Sequence, residues 1–228
     1  MAANVSGASE AREPEYLHQL RVGIRRLRTV LRVFKARRLE RRVRKLTRPL
    51  GDARDLDVFV ARFGKGRALQ RAAHLRCREV LESAEFRALF VDARKVHRGV
   101  AAAPLPAFAA GALDRLHCKA LRRARGIDWS DEEQRHALRI AVRRLRYACD
   151  FFSPCFEDAR RYQRGLADLQ DLLGDLNDIA VARRLGGSEA GLRRRERAML
   201  SELAPGWRAF EKRRRFWADT GKPAAAAR

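Results

Sequence analysis

The stretch His18-Gln-Leu-Arg21-Val-Gly-Ile-Arg25-Arg26-Leu-Arg28 recurs as His136-Ala-Leu-Arg139-Ile-Ala-Val-Arg143-Arg144-Leu-Arg146. Each copy sets a histidine and three arginines at i, i+3, i+7 and i+10, which on a helix is one stripe rather than a scattered set. Arg32 extends the first stripe by a further turn, whereas Asp150 stands at the corresponding place in the second copy. Like charges stacked at this spacing cost a helix a few tenths of a kcal/mol per pair, so the stripe calls for something negative. Guanidinium suits a partner made of phosphates, because its planar fork bonds two oxygens at once and stays charged at any physiological pH. The candidate anion-binding residues are therefore His18, Arg21, Arg25, Arg28 and Arg32, with His136, Arg139, Arg143 and Arg146.

The two histidines are assigned to phosphate donation near helix N-termini. Neither has a partnered nucleophile in its motif, and neither has a second His or carboxylate at i+3 or i+4 to make a metal site. No phosphate-binding glycine loop and no clear metal cluster occurs, so no metal or cofactor is expected. A second repeated segment, Leu50-Gly51-Asp52-Ala53-Arg54-Asp55-Leu56-Asp57, is echoed by Leu173-Gly174-Asp175-Leu176-Asn177-Asp178-Ile179-Ala180. Its carboxylates Asp52, Asp55, Asp175 and Asp178 are expected to orient the motif arginines and cap backbone. The remaining basic runs, Arg37 to Lys45, Arg122 to Arg125, Arg193 to Arg197 and Arg213 to Arg215, read as solvated faces. Trp129, Trp207 and Trp217 are too isolated to form a base-stacking platform.

Helices must carry these stripes. Strand alternation is nearly absent and apolar residues recur at helical spacing, which predicts an all-α chain. The predicted helices are Pro14 to Ala36, Arg41 to Phe63, Gly66 to Val96, Ala107 to Ala124, Asp131 to Phe152, Glu157 to Leu185 and Ser188 to Phe216. Ser130 with Glu133 resembles a capping box for the second motif helix. At about 100° per residue, Leu20, Ile24, Leu27, Leu31 and Phe34 form a core face beside the first stripe. Leu138, Val142, Leu145, Cys149 and Phe152 do the same for the second. Each half is thus a motif helix followed by an L-G-D-x-x-D helix. Two antiparallel helical-bundle halves, about 14–105 and 106–217, are expected to pack about a pseudo-two-fold axis with their stripes facing one groove. Residues 1–13 are expected to be disordered and 218–228 a flexible tail.

The chain has 228 residues, with 51 Lys and Arg against 28 Asp and Glu, for a formal charge of +23. A charge of that size repels itself unless an acidic partner neutralises it. Hydrophobic residues make up 46% of the chain, enough for a packed core, which excludes a disordered basic tail. Cys77, Cys118, Cys149 and Cys155 form no C-x-x-C pair, which argues against a zinc module or a secreted disulfide scaffold. No membrane-spanning run or signal sequence is visible, so a cytoplasmic protein is expected.

The doubled H-x-L-R-x-x-x-R-R-L-R helices, each followed by L-G-D-x-x-D, resemble the CHAD family, named for a histidine-containing α-helical domain, from about Tyr16 to Phe216. The resemblance implies a compact domain of two pseudo-symmetric four-helix halves with a basic surface or groove that binds inorganic polyphosphate, and with no catalytic group in the motifs a non-enzymatic binding protein is expected. It also implies targeting to polyphosphate granules. On matching positions it assigns phosphate contacts to His18, Arg21, Arg25 and Arg28 and to His136, Arg139, Arg143 and Arg146. The N-terminal triphosphatase-type domain that many relatives carry begins with an E-x-E-x-K pattern, which is absent here. The rival readings are a sequence-nonspecific nucleic-acid binder, which the charge alone supports equally well, and a phosphoanhydride-cleaving enzyme using His18 or His136.

Overall fold

The computed structural model describes residues 2–11, 13–96, 104–184 and 189–218. Among these residues there are ten α-helices and no strand: α1 (Ala2–Ser9), α2 (Pro14–Val33), α3 (Arg37–Leu46), α4 (Arg48–Phe63), α5 (Arg67–Glu82), α6 (Ala84–Lys95), α7 (Leu105–Ala124), α8 (Glu132–Phe152), α9 (Arg160–Arg184) and α10 (Glu189–Glu211). The all-α expectation holds. The chain divides into two compact units, Met1–Ala101 and Ala102–Arg228.

In the first unit, α2 opens on Pro14, whose missing N–H costs nothing in a first turn. Its apolar face, Leu17, Leu20, Ile24 and Leu31, is buried with Leu50 and Ala53 of α4, Cys77 and Leu81 of α5, and Phe86 and Leu89 of α6. The expected Leu27 is partly buried against the same cluster.

Three local differences from the sequence reading matter. The N-terminal segment expected to be disordered contains α1, which packs against α2 and α5. Ala8 is only 2% exposed, and a Cβ on Gly7 would run into the ring of Tyr16. Small residues give this helix no strong apolar stripe, so periodicity does not announce it; close approach holds it instead. Met1 and Arg12 of that segment lie outside the described residues.

The single helix expected over Arg41 to Phe63 is two helices. Thr47 ends α3 and precedes α4, and Pro49, which has no N–H to donate, sits in the first turn of α4. The helix expected over Gly66 to Val96 also breaks, at Ser83, whose extended backbone leaves its Oγ to accept the Phe86 N–H at 3.1 Å. Ser83→Ala removes that N-cap above the buried Phe86 and is expected to lower unfolding stability by about 1 kcal/mol in a denaturant titration. A change below about 0.3 kcal/mol would assign the break to packing alone.

In the second unit α8 packs between α7 and α9, and α9 against α10. Leu138, Val142, Leu145, Cys149 and Phe152 are all buried, as the phase of the second motif predicts. The cap of α8 corrects the expected capping box. Asp131, not Ser130, is the N-cap: its Oδ1 accepts the N–H groups of Glu133 at 2.8 Å and Gln134 at 3.0 Å. A carboxylate outcompetes a hydroxyl here because it takes both donors and answers the helix dipole. Ser130 instead donates its N–H and hydroxyl to Asp128.

Aromatic packing closes the C-terminal end of this unit. Trp217 and Tyr162 are 1% exposed, and Asp114 of α7 accepts both Arg215 at 2.7 Å and the Trp217 indole N–H at 2.8 Å. Trp207 and Trp217 are core residues. The predicted ends at Leu185 and Ser188, His97 and most of the 218–228 tail fall outside the described residues.

Candidate anion-binding site

The first stripe is split into three environments. Arg21, Arg25 and Arg28, all half-buried, line a concave cleft of about 770 Å³ beside α3 and α4. Arg21 donates Nη1 to the Gly51 carbonyl at 3.1 Å and to Asp55 at 3.2 Å, so the L-G-D-x-x-D segment does orient a motif arginine. Arg28 and Arg32 converge on one oxygen of Glu40, Oε1, at 2.8 and 2.7 Å. Arg32 faces Glu40 and is not part of the cleft lining.

Glu40 is 7% exposed. Burial pushes its pKa up, but the Arg28 hydrogen bond and the charges of Arg32 and Arg28 outweigh it and hold the carboxyl below the usual glutamate value. It is ionised at neutral pH, and the two guanidiniums are held in a fixed arrangement by a carboxylate that lies outside both repeated motifs.

Most of the remaining cations of the cleft come from the run Arg37 to Lys45, which the sequence pattern reads as a solvated face, and Arg48 adds one from beyond it. Arg41, Arg44 and Lys45 of α3 and Arg48 of α4 line it together with Arg21, Arg25 and Arg28. Seven cations therefore surround a space whose only acidic lining residue is Asp52. The break at Thr47–Pro49 is what turns the α3 cations and the start of α4 onto the same space as α2.

His18 lies at the N-terminal end of the stripe, outside the cleft lining. Burial lowers its pKa first, followed by the charge of Arg54; Glu15 opposes this, and Arg25 and Arg21 add to it. The free protein thus carries His18 neutral at pH 7. A polyanion beside these arginines cancels their repulsion, so its binding raises the His18 pKa and takes up a proton. Affinity is then expected to climb as pH falls from the bound-state pKa to the free-state pKa, below about 6.5, and to level off beneath it. An NMR titration of the His18 ring with and without polyphosphate checks this; identical midpoints would remove His18 from the site.

The second copy is built differently. His136 and Arg139 line a pocket of about 560 Å³ with Leu173, Leu176, Asn177, Ala180 and Val181, and with Glu132, Glu133 and Arg135. The His136 ring nitrogen Nδ1 meets Asn177 Oδ1 at 3.3 Å. Arg135 is 4% exposed; it donates to the carbonyls of Trp129 and Ser130 and to Glu196 at 3.0 Å. Arg143 and Arg146 are half-buried on α8 and are not among the residues lining this pocket.

Matching the two repeats position by position explains the contrast. Arg32 and Glu40 in the first copy correspond to Asp150 and Gln163 in the second, and these also bond one another, at 3.3 Å. Asp175 approaches Arg195 of α10 at 3.9 Å, and Asp178 accepts from Asn177, so neither orients a motif arginine as expected.

Other titratable groups serve packing. Asp57, 4% exposed, accepts from Gln70 at 2.9 Å and meets His74 Nε2 at 2.7 Å. Burial and Asp57 push the Cys77 thiol up to about 12. His117 is buried against Tyr162 and is held below its ordinary pKa by burial and then by Arg215. Among the described residues no group of three or more His, Cys, Asp or Glu is placed to hold a metal ion, and no helix is long and apolar enough to cross a membrane.

No curated protein matches the sequence. The crystal structure of the CHAD domain from the plant Ricinus communis matches with a TM-score of 0.72 at 24% sequence identity, covering 93% of this chain and 87% of that one. That likeness concerns the fold. The family model for the CHAD domain matches residues 1–186, which takes in both motif helices and both L-G-D-x-x-D helices, and the chain therefore belongs to the CHAD domain family.

Proposed function

We propose that this protein binds inorganic polyphosphate without cleaving it, and that this binding associates it with polyphosphate granules. The observation that carries the reading is the cleft of the first unit, where seven cations from α2, α3 and α4 face one space with a single lining carboxylate. Six of the seven are arginines, the group whose fork matches phosphate oxygens in pairs. A linear polyanion satisfies such a wall by multidentate hydrogen bonds and releases its counter-ions on binding. Family membership and the resemblance set out above support the same ligand class.

A catalytic reading has less support. The His18 environment favours the neutral ring but supplies no nucleophile, and the buried Cys77 and Cys149 thiols are both held protonated by burial. The deciding experiment competes long-chain polyphosphate, duplex DNA and single-stranded RNA for the protein at equal phosphate content and one salt concentration. Polyphosphate is expected to win, with no orthophosphate released. Preference for nucleic acid would overturn the ligand assignment. Orthophosphate release lost in His18→Ala would overturn the non-enzymatic one.

A further inference from the structure

The second unit's pocket takes in the His136 and Arg139 end of the second stripe, yet its lining differs from the matching positions of the first copy. At positions matched through the two L-G-D segments, Ala53, Arg54 and Asp57 of the first copy become Leu176, Asn177 and Ala180. The arginine thereby becomes a neutral amide and the buried acid an alanine, while Leu176, beside Leu173 and Val181, which match Leu50 and Val58, enlarges the apolar part of the lining. Leu173, Leu176 and Ala180 are each no more than 5% exposed and form a floor, whereas Val181 is 41% exposed and lies toward the mouth.

The cationic side has also been reduced. Arg135 is consumed by Glu196 and two backbone carbonyls, which leaves Arg139 and His136 as the basic side chains lining the pocket beside the amide of Asn177. The counterpart of Arg139 in the first copy, Arg21, has a carbonyl and Asp55 to bond. Here the matching acid, Asp178, accepts from Asn177 instead, and Arg139 Nε is buried with no hydrogen-bond partner. A buried donor left unmade is costly, and an acceptor entering the pocket relieves it. Glu132 and Glu133 flank the same space and repel a multiply charged anion more strongly than a singly charged one.

We propose that this pocket binds a small organic monoanion, a carboxylate carrying an aliphatic chain. The head group accepts from Arg139, with His136 and Asn177 beside it, and the chain lies along Leu173, Leu176 and Ala180 toward Val181. The volume of about 560 Å³ falls within the range of small-ligand pockets. The proposal gives His136 and Arg139 a ligand other than the phosphate that the family resemblance assigns them, and it does not depend on polyphosphate binding in the first-unit cleft.

Calorimetric titration of the full chain with straight-chain carboxylates from butanoate to octanoate, at constant ionic strength, tests it. Affinity is expected to rise about fourfold per added methylene until the chain reaches the mouth, with alkylammonium ions of equal length failing to bind. Arg139→Gln is expected to weaken octanoate binding at least tenfold. Ala180→Asp, which restores the acid of the first copy, is expected to abolish it while leaving helical content unchanged and polyphosphate affinity within twofold. Should Ala180→Asp lose helical content, the Arg139→Gln comparison decides alone. No binding of octanoate at millimolar concentration, affinity independent of chain length, or unaltered binding in Arg139→Gln would each overturn the proposal. None of these outcomes bears on whether polyphosphate binds in the first unit.

Discussion

Replacing Arg41, Arg44, Lys45 and Arg48 together by alanine is expected to weaken polyphosphate binding by about 10²- to 10³-fold while leaving the fold intact. All four side chains are exposed, and none belongs to the buried core, so their removal opens no cavity. Each exposed cation facing a phosphate contributes roughly 0.7 to 1 kcal/mol after screening, and four of them sum to about 3 to 4 kcal/mol. The salt dependence gives a second reading of the same change. Each phosphate neutralised contributes about 0.7 to 0.9 to the slope of log affinity against log salt, so four lost contacts should flatten it by about 3. Binding isotherms between 50 and 300 mM salt measure both quantities. A variant that keeps its affinity and slope would move the site off α3 and α4, whatever the motif helices contribute. The corresponding replacement of Arg143 and Arg146 is expected to cost far less, because neither lines the pocket of its own unit.

The motif helices were legible because their signal is local. The repeat gives the register, and the phase of Leu20, Ile24 and Leu31 against Arg21, Arg25 and Arg28 follows from helix geometry alone. The opposite wall of the cleft was not legible, because a cationic run such as Arg37 to Lys45 has one pattern whether it faces water or a ligand. What decides is the turn at Thr47–Pro49, a break whose consequence depends on where α3 then packs. Pro49 is the signal that could have split the helix expected over Arg41 to Phe63, and Ser83 is its counterpart one helix later.

The asymmetry of the copies was only half visible. Asp150 in place of Arg32 announced that one end differs, but its meaning lies in the partner position, where Glu40 becomes Gln163. A larger change sits one residue before each histidine. Leu17 is 1% exposed and Arg135 is 4% exposed at the same step of the repeat. Burying a guanidinium where the first copy buries a leucine requires acceptors, and the carbonyls of Trp129 and Ser130 with Glu196 of α10 supply them. No period of the α8 sequence encodes a partner that lies 61 residues away. The duplication thus preserves the helix frame while changing what the polar edge of that frame is paired with.

Glu40→Gln is expected to destabilise the free protein by about 2 to 3 kcal/mol and, at the same time, to tighten polyphosphate binding about threefold at low salt. The stability loss follows from the geometry: one buried carboxylate oxygen serves Arg28 and Arg32, and the amide keeps the shape but not the charge. Removing one member of a buried ion cluster costs about 3 to 5 kcal/mol when the remaining charges are buried. Here the arginine side chains are 26% and 35% exposed, and water reduces the penalty. Because the Glu40 pKa is lowered on folding, its contribution is complete above the unfolded-state value of about 4.3 and disappears as pH falls through the lower folded-state value. Urea titrations should therefore show a constant gap between wild type and variant from pH 7 to about 5 that closes under more acid conditions. The affinity gain has the same origin with opposite sign. Glu40 neutralises Arg28 at the edge of the cleft, so an incoming phosphate must compete with it, and deleting that charge adds one unit to the field the ligand meets. Salt should erase the gain, since the interaction is screened within a Debye length of about 10 Å at 0.1 M. A variant that is less stable yet binds more tightly identifies Glu40 as a counter-charge the free protein needs and the complex does not. Weaker binding would instead mean that Glu40 aims Arg28 at the ligand, and the cleft would then depend on its buried acid as much as on its cations.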